Sequence, residues 1–286
     1  MTALPADWLR PDWPAPAHIH ALCTTRHPGA SLPPCDGFNL GDHVGDDPAA
    51  VQANRQALQR ALAATTPGAH AVFLQQVHGT QVQPLGLQAP AGLCADASVT
   101  TARGVACTIM VADCLPVLLT NRQGTVVAAA HAGWRGLAGT HGQGVLETVL
   151  ECFWALSQSQ QAPTAIKNEP ASGSIVPLAA ADTLAWLGPC IGPQAFEVGP
   201  EVRAAFCAQA ASAATHFQPL PNGKYLADLA GLARQRLQAQ GVTQVYGNDS
   251  TPPWCTVQNP SRFFSHRRDS AGGGASGRFA VCIWRG

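Results

Sequence analysis

Between residues 105 and 132 the chain passes through three apolar stretches with hardly a break: "VACTIMVAD" (105–113), "PVLLT" (116–120) and "TVVAAAHA" (125–132). A strand or helix with one wet face would show polar residues at a regular period, and these stretches show none. Short continuous apolar runs closed by Gly, Pro or Asp suit strands covered on both faces. "AVFLQQV" (71–77), "TLAWLGP" (183–189) and "RFAVCIW" (278–284) are runs of the same kind. Helical spacing occurs over 47–63, 144–158, 199–213 and 225–241. The first helical pattern opens on Asp47 with a proline at an early position, and the last carries Arg236 near its end and Gly241 beyond it. Both follow helix-end chemistry. Strands interleaved with helices predict an α/β, or α+β, layered fold.

No repeat of solenoid or propeller period is present, and residues 1–286 are expected to form one domain. The segment 157–182 mixes Gln, Ser, Pro and Ala without periodicity and predicts a flexible surface insertion. "SAGGGASG" (270–277) predicts a second flexible loop.

Composition narrows the partners. Seventeen cationic side chains balance seventeen anionic ones, which argues against a nucleic-acid binder and favours small molecules. No run reaches the roughly 18 apolar residues of a membrane span. The opening "MTALPADWLRPDWPAPAH" lacks the basic start and apolar core of a signal peptide, so a cytoplasmic protein is expected. Its ten cysteines form no C-x-x-C pair, and several sit in strand-like runs where a reduced thiol acts as a small hydrophobe.

Three residues end or follow such runs beside Gly, Asp or Pro: His78 in "QQVHG", Cys114 in "ADCLP" and His131 in "HAGWRG". Strand ends can present side chains to a shared cleft. One thiolate with two imidazoles is a good zinc donor set, and three protein ligands leave a fourth position open. A core cysteine and hydrogen-bonded histidines are the competing reading, and spacing alone does not decide between them. In "HAGWRGLAG" the glycines at 133, 136 and 139 suggest close approach of backbone to a ligand. A helix start beside Arg135 would suit a phosphate, and Trp134 could stack on a base or pack. "RFFSHRRD" (262–269) adds a dense group of arginines, including Arg267 and Arg268, in a chain with few charges. A solvated basic turn paired to Asp269 is the alternative.

Taken in order, "GFNLGDHVGDDP", "QQVHGT", "ADASVT", "VADCLPVLL", "HAGWRGL", "LGPCIGP", "YLADLAGL" and "CT…RFFSHRRD…GR" resemble the laccase-domain family. That family is also called polyphenol-oxidase-like, or the multifunctional purine nucleoside phosphorylases. The resemblance spans nearly the whole chain. It implies two β-layers flanked by helices, a shape shared with certain deamidating toxins, and it places the family's metal-binding residues on His78, Cys114 and His131. It also implies phosphorolysis of adenosine, inosine, guanosine and methylthioadenosine, with deamination of adenosine. Zinc is the expected ion, and copper is the other candidate. Some bacterial members are described as editing a cell-wall precursor, so amide hydrolysis is a further expectation. The older name points to copper oxidation, but the sequence has a single H-x-H pair, His18 and His20. The nucleobase-deaminase signature is absent, since "GPCIGP" has proline where a second cysteine belongs. Asp113, next to the cysteine, is expected to act as a proton-transfer group or to support the ligands. The expected partners are nucleoside and phosphate, without nucleic acid or membrane, for a monomer or homodimer. The pattern departs from the family at "LAGTHGQGVLE", at 157–182, and at His266, where tyrosine is common.

Overall fold

The computed structural model describes residues 5–160, 176–271 and 274–286. The chain opens with β1 (Ile19–Cys23), α1 (Pro48–Thr65), β2 (His70–Gln75), β3 (Val82–Pro84), β4 (Leu93–Cys94) and β5 (Ala97–Thr100). The apolar centre folds as β6 (Val105–Val111), β7 (Leu115–Asn121) and β8 (Val127–Ala132), followed by α2 (Trp134–Ala138), α3 (Val145–Gln160) and α4 (Val176–Ala181). Then come β9 (Thr183–Leu187), β10 (Glu197–Val198), α5 (Pro200–Cys207), β11 (Phe217–Pro219) and β12 (Tyr225–Ala227). The chain closes with α6 (Leu229–Ala239), β13 (Gln244–Gly247), α7 (His266–Asp269) and β14 (Phe279–Arg285).

Two large sheets carry the fold, one in the order β1-β14-β6-β2-β4 and one in the order β13-β9-β7-β8-β5-β3. A small sheet, β10-β12-β11, is not hydrogen-bonded to them but packs Val198, Phe217 and Ala227 into the core of the second. Alternation along each central strand explains the layers. From β6, Val105, Cys107, Ile109 and Val111 pack with Val127 and Ala129 of β8 between the sheets. The intervening Ala106 and Met110 turn outward to Leu58 and Leu62 of α1. On the other sheet Ala128, Ala130 and Ala132 turn outward to a core shared with Val149 and Phe153 of α3 and Leu232 of α6. The order is helix, sheet, sheet, helix, so β6 and β8 have no wet face and their sequence needs no polar alternation. Full burial of each Leu or Val contributes roughly 1.5–3 kcal/mol, and the run of alanines along β8 lets α3 pack close.

Both predicted helix ends hold. Asp47 caps α1, accepting from the Ala49 amide at 3.0 Å, and Gly241 adopts φ 83° after α6. Three predictions change. The pattern over 225–241 is helical only from Leu229, because Asp228 caps there by accepting from the Gly231 amide at 2.9 Å. The pattern over 199–213 breaks at Cys207, and residues 211–216 form a separate 3₁₀ turn. The insertion predicted over 157–182 is shorter than expected. Residues up to Gln160 belong to α3, where Ser157 is buried on Asn121, and Ala180 of α4 is in the core. Residues 161–175 lie outside the described residues. In the loop over 270–277, Ser276 is buried and its hydroxyl donates to Asp269 at 3.2 Å. All ten cysteines are free thiols. Among the described residues no helix is long and apolar enough to cross a membrane.

Candidate metal centre

His78, Cys114 and His131 converge, with one ligand atom from each lying within 4.8 Å of the others. Different elements deliver them. His78 follows β2 in a left-handed turn at φ 60°, Cys114 joins β6 to β7 directly after Asp113 at φ 89°, and His131 is the penultimate residue of β8. Two non-glycine residues in that region cost energy, and such strain gathers where geometry serves function. The Asp113 turn is held by its own carboxylate, which accepts from the Thr256 hydroxyl and the Arg267 amide, each at 2.6 Å.

The two imidazole rings stand 4.8 Å apart at 73°, edge to face. His131 is buried, Cys114 half-buried and His78 exposed, so the group opens on one side. Gly133 presses against it: a Cβ there would lie 3.0 Å from Cys114 Sγ and 3.1 Å from His78 Cδ2. Gly136 packs equally close on the chain, since its Cβ would meet the Gly79 carbonyl at 2.6 Å. These glycines let the chain after β8 pack closely on Cys114, His78 and Gly79. The short α2, of five residues, offers no helix-end site for an anion.

The electrostatics of the three side chains set them apart. Burial pushes the Cys107 and Cys282 thiols up to about 12. Burial acts the same way on Cys114, but the charge and hydrogen bonds of His131 and His78 overcome it and bring that thiol down to about 6. Burial would lower His131, yet Cys114 and Asp96 raise it to about 9. These opposite shifts favour a thiolate beside a cationic imidazole, and a metal held by the three side chains would take the place of that proton. A soft thiolate with two imidazoles, opening to a cleft, fits a zinc ion with one free position.

Asp96 lies fully buried behind the donors. Its Oδ1 accepts from the His78 amide and from His131 Nδ1, both at 2.8 Å, and its Oδ2 accepts from the Gly79 amide at 2.7 Å. Burial works to raise its carboxyl, but these partners hold it below the usual carboxylate range. The motif "ADASVT" contains Asp96, but no local pattern marks it as a partner of residues 77–79. Asp113, expected to act in proton transfer or to support the ligands, lines the cleft and spends its carboxylate on Thr256 and Arg267, which holds the turn that carries Cys114.

The centre forms the floor of a cleft of about 480 Å³. Its walls bring Arg135, Arg267 and Arg278 together with His43 and His266, and Trp134, Ile191 and Phe196 supply apolar surface. Arg135 lies over the Trp134 ring at 4.5 Å. Gln76 fixes the rim by exchanging two 2.8 Å hydrogen bonds with the Met110 backbone. Arg278 closes the motif ending in "GR" but carries no site signal of its own, because it stands alone after a glycine run. Its guanidinium reaches the Ser276 and Gly277 carbonyls at 2.7 and 3.1 Å.

Arg268 does not face the cleft. Its guanidinium binds both oxygens of Asp269 and the carbonyls of Thr256, Val257 and Phe263. The expectation of an anion-binding Arg268 is therefore corrected: its donors are spent bracing the 256–269 loop. Losing these charge-assisted bonds should cost about 2–3 kcal/mol. Arg268→Ala is expected to melt roughly 5–10 °C lower while keeping its metal, which calorimetry and metal analysis on one sample check. Burial opposes ionisation of Asp269, but Arg268 and the Ser265 amide hold its carboxyl below the usual range. A depressed carboxyl contributes stability above its unfolded pKa of about 3.9 and loses it as pH falls through the folded value. The gap between wild type and Arg268→Ala should therefore narrow in acid below about pH 4.

The fold is a layered α/β one, and its His78, Cys114 and His131 donors form a cluster that could hold a metal ion in a cationic cleft. The family described as multi-copper polyphenol oxidoreductase laccase matches residues 20–169 and 174–286, and the chain belongs to that family. A Pseudomonas aeruginosa protein named purine nucleoside phosphorylase is 45% identical over 278 residues, 97% of this chain and 98% of that one. The Escherichia coli purine nucleoside phosphorylase YfiH is 45% identical over 275 residues, 96% of this chain and 97% of its own. The solved Neisseria meningitidis protein NMB0706, of the DUF152 family, superposes with a TM-score of 0.81 at 42% identity, covering 98% of this chain and 99% of that one. Geobacillus stearothermophilus YlmD gives 0.73 at 29% identity over 94% and 92%.

Proposed function

We propose that this protein is a zinc-dependent purine nucleoside phosphorylase acting on adenosine, inosine, guanosine and methylthioadenosine, with a secondary adenosine deaminase activity. The observation that carries the reading is a three-donor centre and a cationic wall in one cleft of about 480 Å³. That volume lies within the usual range of small-molecule sites. The names of the relatives point to phosphorolysis of purine nucleosides.

In phosphorolysis a phosphate oxygen bonds to the anomeric carbon of the sugar as the bond from that carbon to the purine nitrogen breaks. The nucleophile is an anion, and the departing base needs a proton. Arg135 and Arg267 would hold the phosphate by charge-assisted hydrogen bonds. Trp134 and Phe196 would cover the base. With Asp113 already accepting from Thr256 and Arg267, the cleft side chains left to give a proton are His43 and His266. His266 keeps Nδ1 on the Ser270 hydroxyl at 2.9 Å. A zinc ion on His78, Cys114 and His131 would supply Lewis acidity at an open position, which phosphorolysis and deamination can both use.

Copper in place of zinc is the second reading of the ion, and the family description favours it. His18 and His20 lie away from the centre, His18 bonded to the Gly124 carbonyl and His20 against Trp284. The test is purified protein given adenosine with and without phosphate, after loading with zinc or with copper. Adenine and ribose 1-phosphate are expected with phosphate, and inosine without it. No nucleoside turnover with either ion, together with release of an amino acid from a cell-wall precursor, would replace this reading with the editing hydrolase.

A further inference from the structure

His131 and His78 come from elements with no sequence proximity, yet one carboxylate holds both. Asp96 sits one residue before β5, fully buried, and its main chain and side chain both grip His131. Its carbonyl accepts from the His131 amide at 2.7 Å, while its Oδ1 meets His131 Nδ1 at 2.8 Å. The same Oδ1 accepts from the His78 amide at 2.8 Å, and Oδ2 accepts from the amides of Val77 and Gly79 at 3.2 and 2.7 Å. Three consecutive N–H groups thus converge on one carboxylate and hold His78 in its left-handed turn. With Nδ1 engaged, His131 has only Nε2 left to offer a metal.

We infer that Asp96 is the positioning residue of the metal centre: it sets the tautomer of His131 and the posture of His78 through one carboxylate. The inference rests on the metal-centre reading and goes beyond it, because Asp96 is not one of the three donors and does not line the cleft. Partners in this place orient the ring and sharpen its donor nitrogen, and their removal typically weakens metal binding about 10- to 100-fold. A carboxylate is needed rather than any polar group. An asparagine could still accept with its oxygen, but its NH₂ would face the Val77 and Gly79 amides, donor against donor. The 77–79 loop would be pushed outward and His78 carried with it.

The test is a cobalt(II) titration of metal-free wild type and Asp96→Asn, read in the visible spectrum. Wild type should develop a thiolate-to-cobalt charge-transfer band and intense tetrahedral d–d bands. The variant should bind about 10- to 100-fold more weakly, with the thiolate band kept and the d–d bands altered. Loss of packing alone would lower the melting temperature without changing that spectrum. Equal affinity and an unchanged spectrum in a folded Asp96→Asn protein would overturn the inference. Should the variant not fold, nitrogen-15 NMR of zinc-loaded wild type decides on the native protein. Nδ1 of His131 should carry the proton and Nε2 the metal shift, and the reverse assignment would overturn the inference equally. A wild type that takes up no cobalt or zinc would instead sink the metal-centre reading, which keeps the two failures distinct.

Discussion

Cys114→Ala is expected to lose bound metal and nucleoside turnover together while remaining folded. The centre has three donors, and the anionic one is the thiolate, held near 6 by His131 and His78. Removing it leaves two imidazoles, so affinity should fall by about a thousand-fold or more. The cost in stability is small, because Cys114 is half-buried and alanine nearly fills its place. His78→Ala should behave in the same way, since its ring is exposed. His131→Ala is the harsher change. It deprives the buried Asp96 of a charge-assisted partner and should cost about 1–3 kcal/mol besides the metal. Cys107→Ala is the control: that thiol lies in the core between the sheets, so its loss should lower stability and leave metal and turnover intact. Elemental analysis and circular dichroism on the same samples check each variant. A folded Cys114→Ala protein with full metal and full turnover would contradict the assignment.

The second large effect concerns the cleft wall. Arg135→Ala and Arg267→Ala should each raise the KM for phosphate by about 10- to 100-fold, the equivalent of one charge-assisted hydrogen bond of roughly 1.5–3 kcal/mol. Metal content should not change, because neither side chain is among the donors. Truncating Arg267 leaves its main-chain N–H on Asp113 at 2.6 Å, so the Cys114 turn keeps its brace. Its guanidinium also reaches the Glu197 carbonyl at 3.0 Å, so a modest loss of stability should accompany the kinetic effect. Phosphate saturation curves at fixed adenosine read the outcome. Wild-type KM values in both variants would show that these arginines do not hold the nucleophile.

The layers were legible because β6, β7 and β8 are buried on both faces, which leaves a continuous apolar run in the sequence. The short edge elements were not. β3 and β13 have three and four residues, none fully buried, and so carry no period. Tyr225–Ala227 looks helical because the spacing of α6 runs back through it, and only the Asp228 cap separates the two. At the centre, His78, Cys114 and His131 stood out because each closes an apolar run beside a turn residue. Asp96 did not, since three of its partners are backbone amides and amides leave no side-chain signature. Asp113 was singled out by adjacency, and its carboxylate accepts from the Thr256 hydroxyl and the Arg267 amide, which braces the turn before Cys114. Arg267 and Arg268 look alike in "SHRRD", but neighbouring residues on the one-turn α7 point in different directions. One lines the cleft and the other is locked to Asp269.

X-ray absorption at the metal edge of the purified protein tests the central claim most directly. One ion per chain should give a first shell of one sulfur near about 2.3 Å and two imidazole nitrogens near about 2.0–2.1 Å, with a further light atom. A shell without sulfur, or with two or more sulfurs, would contradict a centre built from His78, Cys114 and His131.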